Sequence, residues 1–339
     1  MSRFILDGGV VLEQYNKLLT VSDIVSYSYK TNPQVASVLE RETGCMFSVH
    51  SIEDMSEIKD KSRIWYFLQA ADKEQIQDLA QAGITHFVVD NTSDLDVLKD
   101  FLRTSTKKLD VLLRMRLKEH TIHTGKHFVY GLFSSQINDL IPRLRDMPSV
   151  GKLGIHFHRK TQNTSEWSME DELSDALSEQ TFSMIDFVNI GGGIPSVYKN
   201  FREEIVEGVL AKIRRFHGFL SKRGIRMMIE PGRFIAAPSV VLEAEIKSIY
   251  NDTIIVDCSV FNSAMDTFIA NIRLLVEGEL DSGKRYTIKG CTPDSMDIFR
   301  YSVFLDPPNV GDKIRFLNAG AYNFSCDFCN LQKIRTELV

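Results

Sequence analysis

The stretch Ile24-Val25-Ser26-Tyr27-Ser28-Tyr29-Lys30-Thr31-Asn32-Pro33 decides how the chain is read. Its β-favouring start predicts a strand over 25–30, and Asn32-Pro33 is a turn signal that closes it. A single lysine, Lys30, is thereby delivered to a strand's carboxyl end, the rim where a parallel α/β barrel gathers its chemistry. Taken alone, a solvated strand-end lysine is the simpler reading. The surrounding pattern changes that. Strand-like runs recur at 25–30, 45–50, 64–69, 85–90, 111–117, 152–158, 185–190 and 226–230. Helical patterns alternate with them at 33–43, 73–82, 93–104, 135–145, 170–179 and 201–222, and Gly83 follows the second as a C-cap. Eight strands alternating with helices predict an α/β fold, a (β/α)8 TIM-like barrel.

Upstream lies a short strand over 4–6 and a helix to 18, with Leu12, Tyr15 and Leu18-Leu19 on one face. After Pro238 the texture changes. Strand-like runs at 239–249, 252–257, 272–277, 286–290 and 312–318 follow without long helices. Asp281-Ser282-Gly283 and Asp306-Pro307-Pro308 read as turns between them. The expected organisation is a barrel domain over 1–236 and a C-terminal β-rich domain over 237–339, with the first strand free to join the second domain.

Composition sets the outer limits. A chain of 339 residues, 43% of them hydrophobic, can bury a full core and is long enough for two domains. A net charge of −5 and a pI near 5.9 give no electrostatic footprint for nucleic acid. No apolar run reaches the roughly 18 residues of a membrane span, and the apolar stretch after Met1 is too short for a signal peptide. Five cysteines, an odd number, suit reduced thiols and a cytoplasmic location. Cys326 and Cys329 form a lone C-x-x-C without a second pair, so no metal site is expected.

Three further places carry chemistry on their own residue types. Glu230 ends the apolar strand Met227-Met228-Ile229, and a lone buried carboxylate is costly, so a cationic partner is expected. Gly191-Gly192-Gly193 follows the seventh barrel strand, where a phosphate is commonly held on backbone N–H groups, although three glycines can also be a turn. Gly232 and Arg233, just after the eighth strand, would complete such a cradle; the alternative for Arg233 is a solvated loop arginine.

Taken in order, Tyr27–Asn32, His156-Phe157-His158, Gly191-Gly192-Gly193, Glu230-Pro231-Gly232-Arg233, Asp294-Ser295-Met296-Asp297 and Gly320-Ala321-Tyr322 form a pattern. It resembles the pyridoxal-phosphate (PLP) decarboxylases of the ornithine, diaminopimelate and arginine decarboxylase family, whose barrel is shared with alanine racemase. The resemblance runs from residue 4 to about residue 330. It implies PLP as cofactor, with Lys30 as the Schiff-base lysine. Glu230 would pair with the pyridine nitrogen and keep it protonated, which favours decarboxylation over racemisation. His158 would stack on the ring, and Arg114 would lie near the cofactor. Thr161, the glycines 191–193, Gly232, Arg233 and Tyr322 would serve the phosphate.

The resemblance further implies that Asp294 and Asp297 read the substrate's distal amine. The family's proton-donor cysteine is replaced by Pro293, which leaves Cys291, two residues earlier, as the candidate donor. Arg159-Lys160 replaces a Val-Gly or Ile-Gly pair; these cations would either attract an anionic group on the substrate or point to solvent. Ser48 stands in place of an acidic residue and His50 in place of an alanine. The implied assembly is a head-to-tail homodimer with shared active sites. The expected activity is decarboxylation of ornithine, lysine or a related diamino acid to the amine and CO2. The alternatives are a larger substrate, either a carboxylated polyamine or a carrier- or peptide-linked amino acid, and a PLP-binding protein that has lost turnover.

Overall fold

The structure is a computed structural model that describes residues 1–117, 130–160, 162–164, 167–322 and 330–339. Thr161, Cys326 and Cys329 lie outside the described residues. The first strand, β1 (Arg3–Leu6), leads into α1 (Gly8–Leu19), whose N-terminus is capped by the Asp7 carboxylate accepting from the Val10 N–H at 3.1 Å. The buried face of α1 is Val11, Tyr15 and Leu18, while Leu19 is exposed and Leu12 half-buried. Both sets satisfy helical spacing, and the packing of α1 on its neighbours selects the first.

The barrel repeats begin with β2 (Ile24–Ser28), α2 (Pro33–Glu42), β3 (Met46–Val49), α3 (Ile52–Glu57), β4 (Ile64–Leu68) and α4 (Lys73–Gln81). They continue through β5 (His86–Val89), α5 (Thr92–Thr104), β6 (Leu109–Arg114), α6 (Ser134–Arg145) and β7 (Val150–His156). The single helix expected near 170–179 is two, α7 (Met169–Ala176) and α8 (Glu179–Met184). Then come β8 (Phe187–Asn189), α9 (Glu203–Ser221), β9 (Arg226–Ile229) and the short α10 (Arg233–Ala236). Strands β2 to β9 are parallel, and pairing of Ile24 with Met228 and Val25 with Ile229 closes the barrel. The lumen is packed. Trp65 on β4 and Phe187 on β8 have ring centroids 6.1 Å apart, a contact that non-adjacent strands make only across the interior.

The second sheet is built from β10 (Val240–Tyr250), β11 (Thr253–Val256), β12 (Leu275–Val276), β13 (Leu280–Lys289), β14 (Ile298–Phe304), β15 (Lys313–Leu317) and β16 (Thr336–Leu338). Two short helices, α11 (Val260–Ser263) and α12 (Asp266–Ile269), sit between β11 and β12. The strand order is β12-β15-β10-β11-β13-β14; β1 lies antiparallel to β10 and parallel to β16. One expectation is corrected here. Asp281-Ser282-Gly283 is not a turn between strands but lies inside β13, where the register with β14 jumps between Leu280 and Arg285. An irregular pairing tolerates turn-favouring residues within a strand. Among the described residues no helix is long and apolar enough to cross a membrane.

Candidate active site

Lys30 is not on β2 itself. The strand stops at Ser28, and Tyr29–Thr31 form one turn of 3₁₀ helix that lifts the lysine above the barrel rim. The turn is braced on both sides. The Tyr27 hydroxyl donates to the Asn32 carbonyl at 3.2 Å, and the Asn32 carboxamide oxygen accepts from the N–H groups of Gln34 and Val35 at 3.0 and 3.4 Å, capping α2. Asn32 Nδ2 donates to the Gly320 carbonyl at 3.0 Å, and the Tyr322 N–H donates to the Thr31 carbonyl at 3.1 Å. The spacing of Tyr27, Lys30 and Asn32 is therefore mechanical: the flanking residues fix the turn and sew it to the Gly320-Ala321-Tyr322 segment. Asn32→Ala removes a helix cap and strands a buried carbonyl. It is expected to cost about 1–3 kcal/mol of stability, read from the denaturant midpoint; an unchanged midpoint would contradict the brace.

Above the rim lies a cavity of about 460 Å³. Lys30, Arg114, His158, Gly192, Gly193, Glu230, Gly232, Arg233 and Tyr322 all line it, and so do His50, Asp90 and His156. Gly191 itself does not line it. Gly191 and Gly193 have φ of +68° and +89°, and a Cβ on Gly192 would fall 2.6 Å from the Glu230 carbonyl oxygen. Side chains at these positions are strained or excluded, so the loop presents backbone rather than side chains to the cavity. The Gly192 N–H donates to His158 Nδ1 at 3.2 Å, and the Glu230 N–H donates to the Gly191 carbonyl at 2.7 Å. Burial is the first cause that lowers the His158 pKa to about 3, and the neighbouring Arg114 and Lys30 charges add to it. A neutral ring with Nδ1 as acceptor is the state this contact requires.

Glu230, 6% exposed, is the floor of the cavity. Its Oε1 accepts from Ser48 Oγ at 2.8 Å and from Asn189 Nδ2 at 2.9 Å, and its Oε2 faces His156 Nε2 at 3.0 Å. Burial pushes the carboxyl up; His156 first, then Ser48 and Asn189, outweigh it and hold the pKa down to about 2. The expected cationic partner is thus supplied in part by hydrogen-bond donors of the protein.

Arg233 is buried rather than solvated. Its guanidinium pairs with Asp266 of α12 and reaches the Tyr198 hydroxyl at 3.0 Å, and these partners raise its pKa against the downward push of burial. It lies 5.2 Å from the Tyr322 ring centroid, so the second domain orients this arginine over the cavity. Arg114 pairs with Asp90 at 3.2 Å, and its guanidinium lies over the Tyr130 ring at 4.8 Å. His50 stacks on Phe67 at 4.5 Å, and burial, then Lys30, lowers its pKa to about 4.

The remaining candidates are elsewhere. Cys291, Asp294 and Asp297 sit on the β13–β14 loop and do not line the cavity of their own chain. Asp297 is wholly buried; its Oδ1 accepts from the Val260 N–H at 2.8 Å, and its Oδ2 from the N–H and hydroxyl of Thr292 at 3.0 and 2.7 Å. Its carboxylate organises the loop. Asp294 is exposed and accepts from the Met296 N–H at 2.7 Å. Cys291 is exposed, and its thiol pKa is raised by burial of its inner side and by Asp297. Neither reading of Arg159 holds. It is 1% exposed and turns into the protein, with Nη2 on Glu172 at 3.2 Å, while Lys160 is exposed.

Ser48 and His156 were named in the sequence without a partner, and Asn189 and Asp266 were not singled out. The first three share one signal, a polar residue at or one short of the carboxyl end of an otherwise apolar barrel strand. Pyridoxal phosphate fits what is gathered: an amine on a rigid turn, a glycine loop of bare backbone, an oriented arginine and a buried carboxylate kept anionic.

Comparison with known proteins agrees. A diaminopimelate decarboxylase of Methanothermobacter thermautotrophicus is 26% identical, over 89% of this chain and 76% of that protein. The solved lysine/ornithine decarboxylase of Vibrio vulnificus, complexed with cadaverine, superposes with a TM-score of 0.78 at 22% identity, covering 100% of this chain and 94% of that one. The diaminopimelate decarboxylase of M. jannaschii in complex with L-lysine gives a TM-score of 0.81 at 20% identity, covering 99% and 86%. Residues 11–237, more than half of the chain, match the family described as pyridoxal-dependent decarboxylase, pyridoxal binding domain. With a (β/α)8 barrel, a β domain and a cavity that suits the cofactor, the chain belongs to the pyridoxal-dependent decarboxylases, enzymes that remove the carboxyl group of an amino acid with pyridoxal phosphate.

Proposed function

We propose that this enzyme decarboxylates an amino acid with a distal amine, of the ornithine, lysine and diaminopimelate kind, at a site shared by two copies of the chain. The observation that carries the reading is the exposed Asp294 carboxylate on a loop that does not reach its own chain's cavity. A carboxylate so placed meets a substrate only across an interface, and its natural ligand is an ammonium group. The names of the relatives point the same way, since diaminopimelate, lysine and ornithine all carry a second amine.

Bound pyridoxal phosphate supplies a sink for the electron pair left when CO2 departs. The chain's residues take the other roles. Lys30 is the amine that holds the cofactor, and Glu230 is the anion that accepts the ring N–H. The glycine loop, Gly232, Arg233 and Tyr322 bind phosphate, and His158 supports the ring. Cys291 lies on the Asp294 loop, and a thiol with a raised pKa keeps its proton at neutral pH. We assign it the protonation of the α-carbon.

Two experiments test this reading. Lysine and ornithine are expected to exceed norleucine and norvaline, which lack the amine, by at least about a hundredfold in kcat/KM. Asp294→Asn should erase most of that ratio. Equal turnover of the amine-free analogues, or turnover only of larger carboxylated substrates, would overturn the substrate class. For the shared site, Lys30→Ala and Asp294→Ala chains, each nearly inactive, are expected to regain about a quarter of wild-type activity when mixed dimers form, because half the dimers then hold one intact site of two. Absence of recovery in demonstrated mixed dimers would place both residues in one subunit's site or remove Asp294 from it.

A further inference from the structure

We infer that His156 is a positioning residue that keeps the proton shared by Glu230 and the cofactor's ring on the ring nitrogen; this rests on the proposed pairing of Glu230 with that nitrogen. The Glu230 carboxylate offers about four acceptor positions. Ser48 and Asn189 both occupy Oε1, and Ser48 Oγ is itself 2.8 Å from Ser26 Oγ, so that side is doubly anchored. His156 Nε2, at 3.0 Å, is the donor to Oε2. One acceptor position remains for the ring N–H.

The histidine has little freedom to do anything else. It is 1% exposed at the end of β7, and Phe67 packs edge-on against its ring with centroids 5.2 Å apart at 84°. Phe67 is itself stacked on His50. Among the described residues, His156 Nδ1 is buried and has no hydrogen-bond partner. The tautomer with its hydrogen on Nε2 leaves no N–H stranded, and it aims that N–H at Oε2.

The consequence follows from where the proton rests. Each hydrogen bond to the carboxylate stabilises the anion over the acid, while burial does the opposite. With Oε2 held by His156, the anion is favoured and the proton stays on the more basic ring nitrogen. Without it, Oε2 is a buried oxygen free to take the proton, and the ring loses the charge that makes it a sink. No electrons move in this exchange; one N–H bond is traded for one O–H bond. An inert core histidine would affect folding and leave the proton's position alone.

The test is the 15N chemical shift of ring-labelled pyridoxal phosphate reconstituted into the full-length enzyme, at one fixed pH. Wild type should lie at the protonated end, and Glu230→Gln should move far towards the unprotonated end. His156→Phe, which keeps an aromatic ring against Phe67 but removes the donor, should move part of the way. His156→Gln, which restores an N–H, should return towards wild type. In His156→Phe, kcat should fall at least tenfold with KM changed less than about threefold. An unshifted His156→Phe resonance beside a shifted Glu230→Gln would overturn the inference and spare Glu230. An unshifted Glu230→Gln would overturn the pairing itself. If His156→Phe does not take up the cofactor, His156→Leu is read by the same criterion, and failure of both would make His156 a folding residue and overturn the assignment.

Discussion

Replacing Lys30 with alanine is expected to abolish turnover, by at least about ten-thousandfold, or more than 5 kcal/mol in the barrier. The fold should be untouched, because the side chain projects into the cavity and no core contact is lost. The turn that carries it is held by the Tyr27, Asn32 and Tyr322 hydrogen bonds, none of which uses the lysine side chain. On the proposed assignment, removing the amine takes away the covalent anchor for the cofactor and the nucleophile that only a rigid, well-placed lysine provides. Steady-state release of CO2 alongside a thermal melt checks both halves. A Lys30→Ala enzyme within tenfold of wild type would place the anchor elsewhere.

The second large effect belongs to Glu230→Gln, expected to lower turnover by about a thousandfold, close to 4 kcal/mol. The amide is nearly isosteric, yet it cannot hold a negative charge opposite the ring nitrogen. Its NH2 would also meet donors from Ser48, Asn189 or His156, so about 1–3 kcal/mol of stability should go with it. Cofactor should still bind, since Lys30, the glycine loop and Arg233 remain. Loss of turnover with retention of the cofactor's colour separates the carboxylate's electronic role from cofactor binding. Wild-type turnover in Glu230→Gln would remove the reason for preferring decarboxylation to racemisation at this site.

Much of the frame was legible because its signals are local. Apolar runs alternating with helical stripes predicted the barrel, and the strand-end positions of Lys30, Glu230 and the glycine run marked its working rim. What escaped reading depends on residues far apart in the chain. Ser48 and Glu230 are 182 positions apart and Arg233 pairs with Asp266 across the domain boundary, and no periodicity records such contacts. β14 was missed because Arg300-Tyr301-Ser302 breaks its apolar run. Arg300 is nevertheless buried, with its charge met by Glu279 at 2.8 Å. Asp281-Ser282-Gly283 misled in the opposite sense, since turn-favouring residues also fit an irregular stretch of strand. The Asp294 loop shows a further gap. Its residues matched the family pattern by their order, while in the single chain the loop stands apart from the cavity.

One cavity, with Lys30 at its rim, is proposed to hold pyridoxal phosphate for the reaction. Borohydride reduction of the cofactor-loaded enzyme, followed by mass mapping of its peptides, tests this most directly. A single reduced pyridoxyl group per chain, on Lys30, is expected. A reduced group on any other lysine would contradict it.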